Sequence, residues 1–171
     1  MCVIVYKPEG VALPSEETLK RCWEANPDGA GFMYPAQGKV AIRKGFMDWE
    51  GFREAFSKEM QGFGVHAAPI ALHFRIATHG AVKPGCCHPF AVCKDYGRMR
   101  ERSLLAEVGF MHNGVLSGLD TSKAVSDSMA FARNVLAPLR QMCEDFMGDR
   151  GARRIIGSSA QGSRFLLMDG S

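Results

Sequence analysis

No segment of this chain pairs a basic start with an apolar run in the manner of a secretory leader, and no stretch approaches the roughly 20 apolar residues that cross a bilayer. A cytoplasmic protein without a membrane partner is expected. An excess of one charge is also missing: 21 Lys and Arg against 18 Asp and Glu leave a net charge of +3, too little to argue for a nucleic-acid surface. The two most basic stretches, Arg98 to Arg102 and Arg150 to Arg154, are interrupted by Met99 and Glu101 and by Gly151 and Ala152, and read as solvated faces. There is no internal repeat, low-complexity tract or block of like charge, so disorder is not expected outside the tail. The six cysteines read as reduced thiols, not as a disulfide framework.

What is present is a globular composition, 46% hydrophobic and 23% charged, over 171 residues, which is one domain's worth of core. The chain is read as a single domain, 1–171. Cys2 to Tyr6 reads as a strand ended by Lys7-Pro8-Glu9-Gly10. Ser15 caps a helix to about Glu24, with Leu19, Cys22 and Trp23 inward. Phe32 to Tyr34 and Lys39 to Lys44 form a hairpin, and Trp49, Phe52, Phe56 and Met60 recur at helical spacing behind Asp48. Ile70, Leu72, Phe74 and Ile76 alternate with Ala71, His73, Arg75 and Ala77, which predicts a strand with one buried and one polar face. Pro84 to Gly97 reads as loop. Leu104 to Met111 reads as one apolar strand, and Ser126-Asp127 opens a helix that Pro138 breaks or restarts. Arg153 to Ile156 and Arg164 to Met168 read as a closing hairpin. Strands, then helices, then strands predict an α+β fold.

Three polar turns stand out: Asp28-Gly29-Ala30-Gly31, Arg75-Ile76-Ala77-Thr78-His79-Gly80 and His112-Asn113-Gly114. Two follow apolar strands, where rigid sheets usually present their chemistry. The planar fork of Arg75 suits a carboxylate, an Asn beside a glycine can aim an amide and a backbone N–H at an oxyanion, and Asp127 can cap a helix or bind an ammonium group. Cys2 alone reads as a small apolar residue opening a strand. Beside the initiator methionine it gains a second meaning, because removal of Met1 leaves its own α-amine as a base. Such amines have pKa values of about 7.7–8.0, and cysteine thiols about 8.5. His88 and His112 read as residues that shape their turns by hydrogen bonding.

Taken in order, Cys2, Arg75-Ile-Ala-Thr-His-Gly80, His88-Pro89-Phe90, His112-Asn113-Gly114 and Asp127 within Ser-Asp-Ser resemble the class II glutamine amidotransferases, which are N-terminal nucleophile hydrolases. The resemblance runs from Cys2 to about Ala132. It implies a four-layer αββα sandwich of two antiparallel sheets and L-glutamine as substrate. It also implies Cys2 as nucleophile, Asn113 and Gly114 as oxyanion hole, Arg75 on the substrate carboxylate, Asp127 on its ammonium, and Thr78 and His79 along the pocket. No metal or organic cofactor is needed. Longer relatives continue past Asp169-Gly170-Ser171 into an acceptor domain, so either ammonia passes to a synthetase or transferase subunit in trans, or the chain acts as a stand-alone glutaminase, or its C-terminal part is lacking. Ala25 stands where many synthase-linked relatives carry an arginine.

Other readings compete with this one. The same fold could act on another amide, although a paired Arg75 and Asp127 suit a free amino acid better than a general acyl group. It could also be a catalytically inactive binding module. Cys86, Cys87, His88 and Cys93, with His79 as a further candidate, offer soft ligands for zinc, but their spacing lacks two Cys-x-x-Cys knuckles.

Overall fold

The computed structural model describes residues 1–61, 68–77, 82–160 and 162–170. Strand β1 (Val3–Lys7) stops at Pro8, which has no N–H to give a ladder. Helix α1 (Glu16–Ala25) starts where the Ser15 hydroxyl accepts the Thr18 amide at 3.2 Å, with Glu16 and Glu17 in the turn that the helix dipole favours for acids. Strands β2 (Ala30–Ala36) and β3 (Lys39–Phe46) meet through Gln37 and Gly38, whose φ values of 55° and 69° match the twist of a tight hairpin. Helix α2 (Trp49–Gln61) begins at Asp48, which accepts the Gly51 amide at 2.8 Å, and it buries Phe52, Phe56 and Met60.

Strand β4 (Ile70–Phe74) corrects the expected polar face, because all five of its residues are buried, His73 completely. The reason is position. β4 lies between β1 and β2, and its second face looks onto another sheet instead of water. The expected loop 84–97 contains a 3-10 turn at Pro84–Cys86, the short strand β5 (Phe90–Ala91) and the start of α3 (Tyr96–Arg100).

The single strand expected over 104–111 is two strands, β6 (Ser103–Ala106) and β7 (Val108–Asn113), which belong to different sheets. Glu107 is the exposed pivot, 2.9 Å from Lys39. Hydrophobic alternation marks burial but not the sheet against which a residue is buried, so the crossing leaves no trace in the pattern.

Pro138 does not break its helix. Helix α4 (Asp127–Phe131) runs through a π-helical stretch, Ala132–Leu136, into α5 (Ala137–Met142). The Ala137 amide donates to Ala132 O, five residues back. That wider turn makes room just before a residue that lacks an N–H and whose ring crowds an ordinary α-turn. The closing hairpin is also corrected: Arg150–Ser159 is helix α6, and β8 (Arg164–Asp169) pairs with β7 instead. The Asp149 carboxylate caps the Ala152 amide at 2.8 Å, and Ala152 and Ile156 are buried four residues apart. Cap and spacing together outweigh the strand preference of Ile155 and Ile156.

The protein is therefore α+β, with a five-stranded antiparallel sheet in the order β1-β4-β2-β3-β6 and a three-stranded antiparallel sheet in the order β5-β7-β8. One apolar cluster joins Leu19, Trp23, Phe52 and Phe56 of α1 and α2 to Phe32, Leu72 and Phe74 of the larger sheet. A second joins Met33, Ile42 and Ala71 to Met111 and Met168, sheet against sheet. A third joins Phe110 to Met129, Phe131, Leu136 and Ile156 on the far helices. Among the described residues no helix is long and apolar enough to cross a membrane.

Gly31 shows how tightly the start of the central strand β2 meets the segment around His88. A Cβ there would lie 2.1 Å from His88 O and 2.9 Å from Arg43 O, both backbone atoms. Gly31→Ala is expected to cost about 2–3 kcal/mol, seen as a lower urea midpoint at unchanged slope.

Candidate active site

Alternation along β1 sends Val3 and Val5 toward the helices and Ile4 toward the second sheet, so Cys2 shares the inter-sheet face with Ile4. It is half-buried, and its thiol points at Ile76 O, 3.5 Å away. The β1–β4 register pairs Val3 with Phe74, which makes Cys2 and Arg75 the next residues beyond the end of that ladder. Arg75 is only 7% exposed. Its backbone is clamped on both sides: its amide donates to Gly29 O at 2.8 Å and its carbonyl accepts the Asp28 amide at 3.0 Å. Asp28 Oδ2 then accepts the Ala77 amide at 2.8 Å, so the Asp28-Gly29 turn holds the strand end in shape. Gly29, at φ 123°, is required there because a Cβ would lie 2.5 Å from Cys87 Sγ.

From the other sheet, β7 delivers Asn113. Its Nδ2 donates to the Cys2 carbonyl at 2.5 Å, across 111 residues of sequence, while its Oδ1 is buried without a partner among the described residues. Gly114 follows with φ 144°. Asp127 opens α4 behind the Ser126 cap. Its Oδ2 accepts the Leu116 amide at 2.9 Å and its Oδ1 the Ser128 amide at 2.7 Å, so it ties the segment after Gly114 to the helix start. Thr78 and His79 lie outside the described residues. The structure thus brings together Cys2, Asn113 and the Arg75 strand end, and links Gly114 to Asp127 through Leu116.

Several groups escaped the sequence reading. His73, expected on a polar face, is fully buried; its Nε2 meets His112 O at 3.1 Å, and burial pushes its pKa down to about 3. His88 stacks on it with ring centroids 4.3 Å apart, and burial holds it well below the usual histidine range. Neither ring nitrogen of His88 has a partner among the described residues, so the hydrogen bonds expected to shape its turn are not found among them. His112 does make such bonds, to Ser128 and to Ser163. Lys44 is buried with Nζ 2.5 Å from Met99 O, 3.3 Å from Gly85 O and 4.0 Å from the Phe90 ring centre, and burial lowers its pKa to about 7. It straps the 84–86 turn and α3 to the sheet. Its local sequence, Arg43-Lys44-Gly45, carries no signal that sets it apart.

The loop thiols are engaged locally. Cys87 Sγ lies 3.8 Å from Lys83 O, with burial pushing the thiol up, and Cys93 Sγ lies 3.4 Å from Asp95 O. Among the described residues no group of three or more His, Cys, Asp or Glu side chains could hold a metal ion. A groove of about 330 Å³ between α1 and α2, lined by Leu13, Trp49, Phe56 and Met60, contains none of the residues above.

No protein-family model and no curated protein matches the chain. The site itself offers a half-buried thiol at a strand end, an amide donor on that residue's own carbonyl, a buried arginine one residue beyond the ladder, and a carboxylate at a helix start.

Proposed function

We propose that the chain is an N-terminal cysteine amidohydrolase of the class II glutamine amidotransferase type, which hydrolyses the side-chain amide of L-glutamine to glutamate and ammonia. The observation that carries this reading is the junction of Cys2 with Asn113, where the ends of two sheets meet. The order of packed layers, with helices on both sides of two antiparallel sheets, is compatible with the αββα sandwich of N-terminal nucleophile hydrolases.

With Met1 gone, the Cys2 amine takes the thiol proton and sulfur attacks the amide carbon. Asn113 Nδ2 carries two hydrogens, and only one is used on the Cys2 carbonyl. The other, with the Gly114 N–H, stabilises the oxyanion. The amine then protonates the leaving ammonia, and water cleaves the γ-glutamyl thioester to glutamate and free thiol. Arg75 reads the substrate carboxylate and Asp127 its ammonium. Oδ2 of Asp127 retains a lone pair beyond its bond from the Leu116 amide. By the resemblance, Thr78 and His79 are assigned to glutamine binding. No cofactor enters, and ammonia passes to an acceptor enzyme in trans.

Processing is the direct test. Protein whose intact mass shows Cys2 as first residue is expected to release glutamate from glutamine, and protein retaining Met1 is not, because an acylated amine is no base. No release from the processed form, alone or beside acceptor enzymes, rejects the proposal.

A further inference from the structure

The His112 ring sits between two hydroxyls. Its Nδ1 is 2.9 Å from Ser128 Oγ and its Nε2 is 3.1 Å from Ser163 Oγ. Each serine has a second partner: Ser128 Oγ is 3.3 Å from Asp127 Oδ1, and Ser163 Oγ is 3.4 Å from Val115 O. Burial keeps His112 below its ordinary pKa, so near neutral pH one ring nitrogen donates and the other accepts.

Two arrangements satisfy the whole row. In the first, Nδ1–H donates to Ser128, the Ser128 hydroxyl donates to Asp127, and the Ser163 hydroxyl donates to Nε2. In the second the two ring bonds reverse and the terminal bond changes ends: Nε2–H donates to Ser163, Ser163 donates to the Val115 carbonyl instead of Ser128 to Asp127, and Ser128 donates to Nδ1. The first ends on a carboxylate, the stronger acceptor, which favours it at rest.

The row also touches the turn that carries Asn113. The β7–β8 register pairs Asn113 with Arg164, which sets Gly114 opposite Ser163. A Cβ on Gly114 would lie 2.2 Å from Ser163 Oγ, so the serine occupies the space that this glycine, at φ 144°, leaves open. Ser163 is itself buried and held by its amide on Ala160 O at 2.7 Å.

We propose that Ser163 is a positioning residue for the Asn113-Gly114-Val115 turn, and that Asp127 sets the direction of the Ser128-His112-Ser163 hydrogen-bond row. A cation that neutralises Asp127 would release the Ser128 hydroxyl to Nδ1 and move the ring proton to Nε2. The Ser163 hydroxyl would then anchor the Val115 carbonyl beside the oxyanion donors. Occupation of the carboxylate would thereby tighten the turn where charge develops. The catalytic part of this inference rests on the glutaminase reading; the tautomer part does not.

Nitrogen-15 spectra of the histidine rings in the full chain give the test. Wild type is expected to carry the His112 proton on Nδ1. Asp127→Asn and Ser128→Ala are each expected to shift it toward Nε2, and either variant suffices if the other does not fold. A wild-type proton on Nε2, or a tautomer unmoved in both folded variants, overturns the proposal. In the glutaminase assay Ser163→Ala should lower kcat by about tenfold to a hundredfold at nearly constant KM. Unchanged kcat there overturns the positioning role. Absence of wild-type activity instead rejects the glutaminase reading and leaves the tautomer result standing on its own.

Discussion

Processed protein carrying Cys2→Ala should release glutamate at least about 10⁴-fold more slowly than wild type, because removing a covalent nucleophile leaves only the oxyanion donors and substrate binding to act. The main-chain bond from Asn113 Nδ2 ends on the Cys2 carbonyl, not on its thiol, so alanine leaves that junction in place. Arg75 is clamped by Asp28 and Gly29, which the substitution does not touch. Glutamine binding, measured by calorimetry, is therefore expected to persist while turnover disappears. Steady-state glutamate release reads the rate, and a folded Cys2→Ala protein with wild-type turnover would remove the nucleophile from the mechanism.

Stability should fall steeply on mild acidification. Burial lowers His73 to about 3 and His88 well below the ordinary range, against about 6.5 in an unfolded chain. As pH drops below about 6.5 the unfolded chain takes up protons that the folded chain refuses. The stability is thus fully present above that pH and is lost on the way down. Each histidine contributes a slope of about 1.4 kcal/mol per pH unit, and the pair about 2.7. His112, also lowered by burial, adds in the same direction. Urea midpoints at pH 7, 6 and 5 measure the slope. Because neither nitrogen of His88 has a partner among the described residues, His88→Leu forfeits no hydrogen bond seen there. It should keep stability near pH 7 and remove one histidine's share of the acid slope. An unchanged slope in that variant would contradict a buried, neutral His88.

The contrast between Asn113 and Ser163 shows what a sequence exposes. Asn113 announces itself through its neighbours, a histidine before it and a glycine after it, and the structure brings it to Cys2. Ser163 has no local pattern, because its role depends on a register between β7 and β8 that only tertiary pairing supplies. Helices with a cap and a four-residue apolar spacing, α1 and α2, were readable for the same local reason. Local signals misled where a longer-range choice decided the outcome. Ile155 and Ile156 suggested a strand, but the Asp149 cap and the core behind Ile156 make a helix. His73 obeyed the expected alternation, yet the face it occupies is covered by another sheet.

The pivot at Glu107 bears on the order in which the molecule can assemble. β5 enters the smaller sheet before β6 completes the larger one, and one residue later β7 is back in the smaller. The chain thus alternates between the two sheets, and both depend on pairings distant in sequence, β1 with β4 and β3 with β6 in the larger and β7 with β8 in the smaller. Such a topology makes loop closure costly before any contact repays it, so folding is slow and cooperative and leaves no half that is stable by itself.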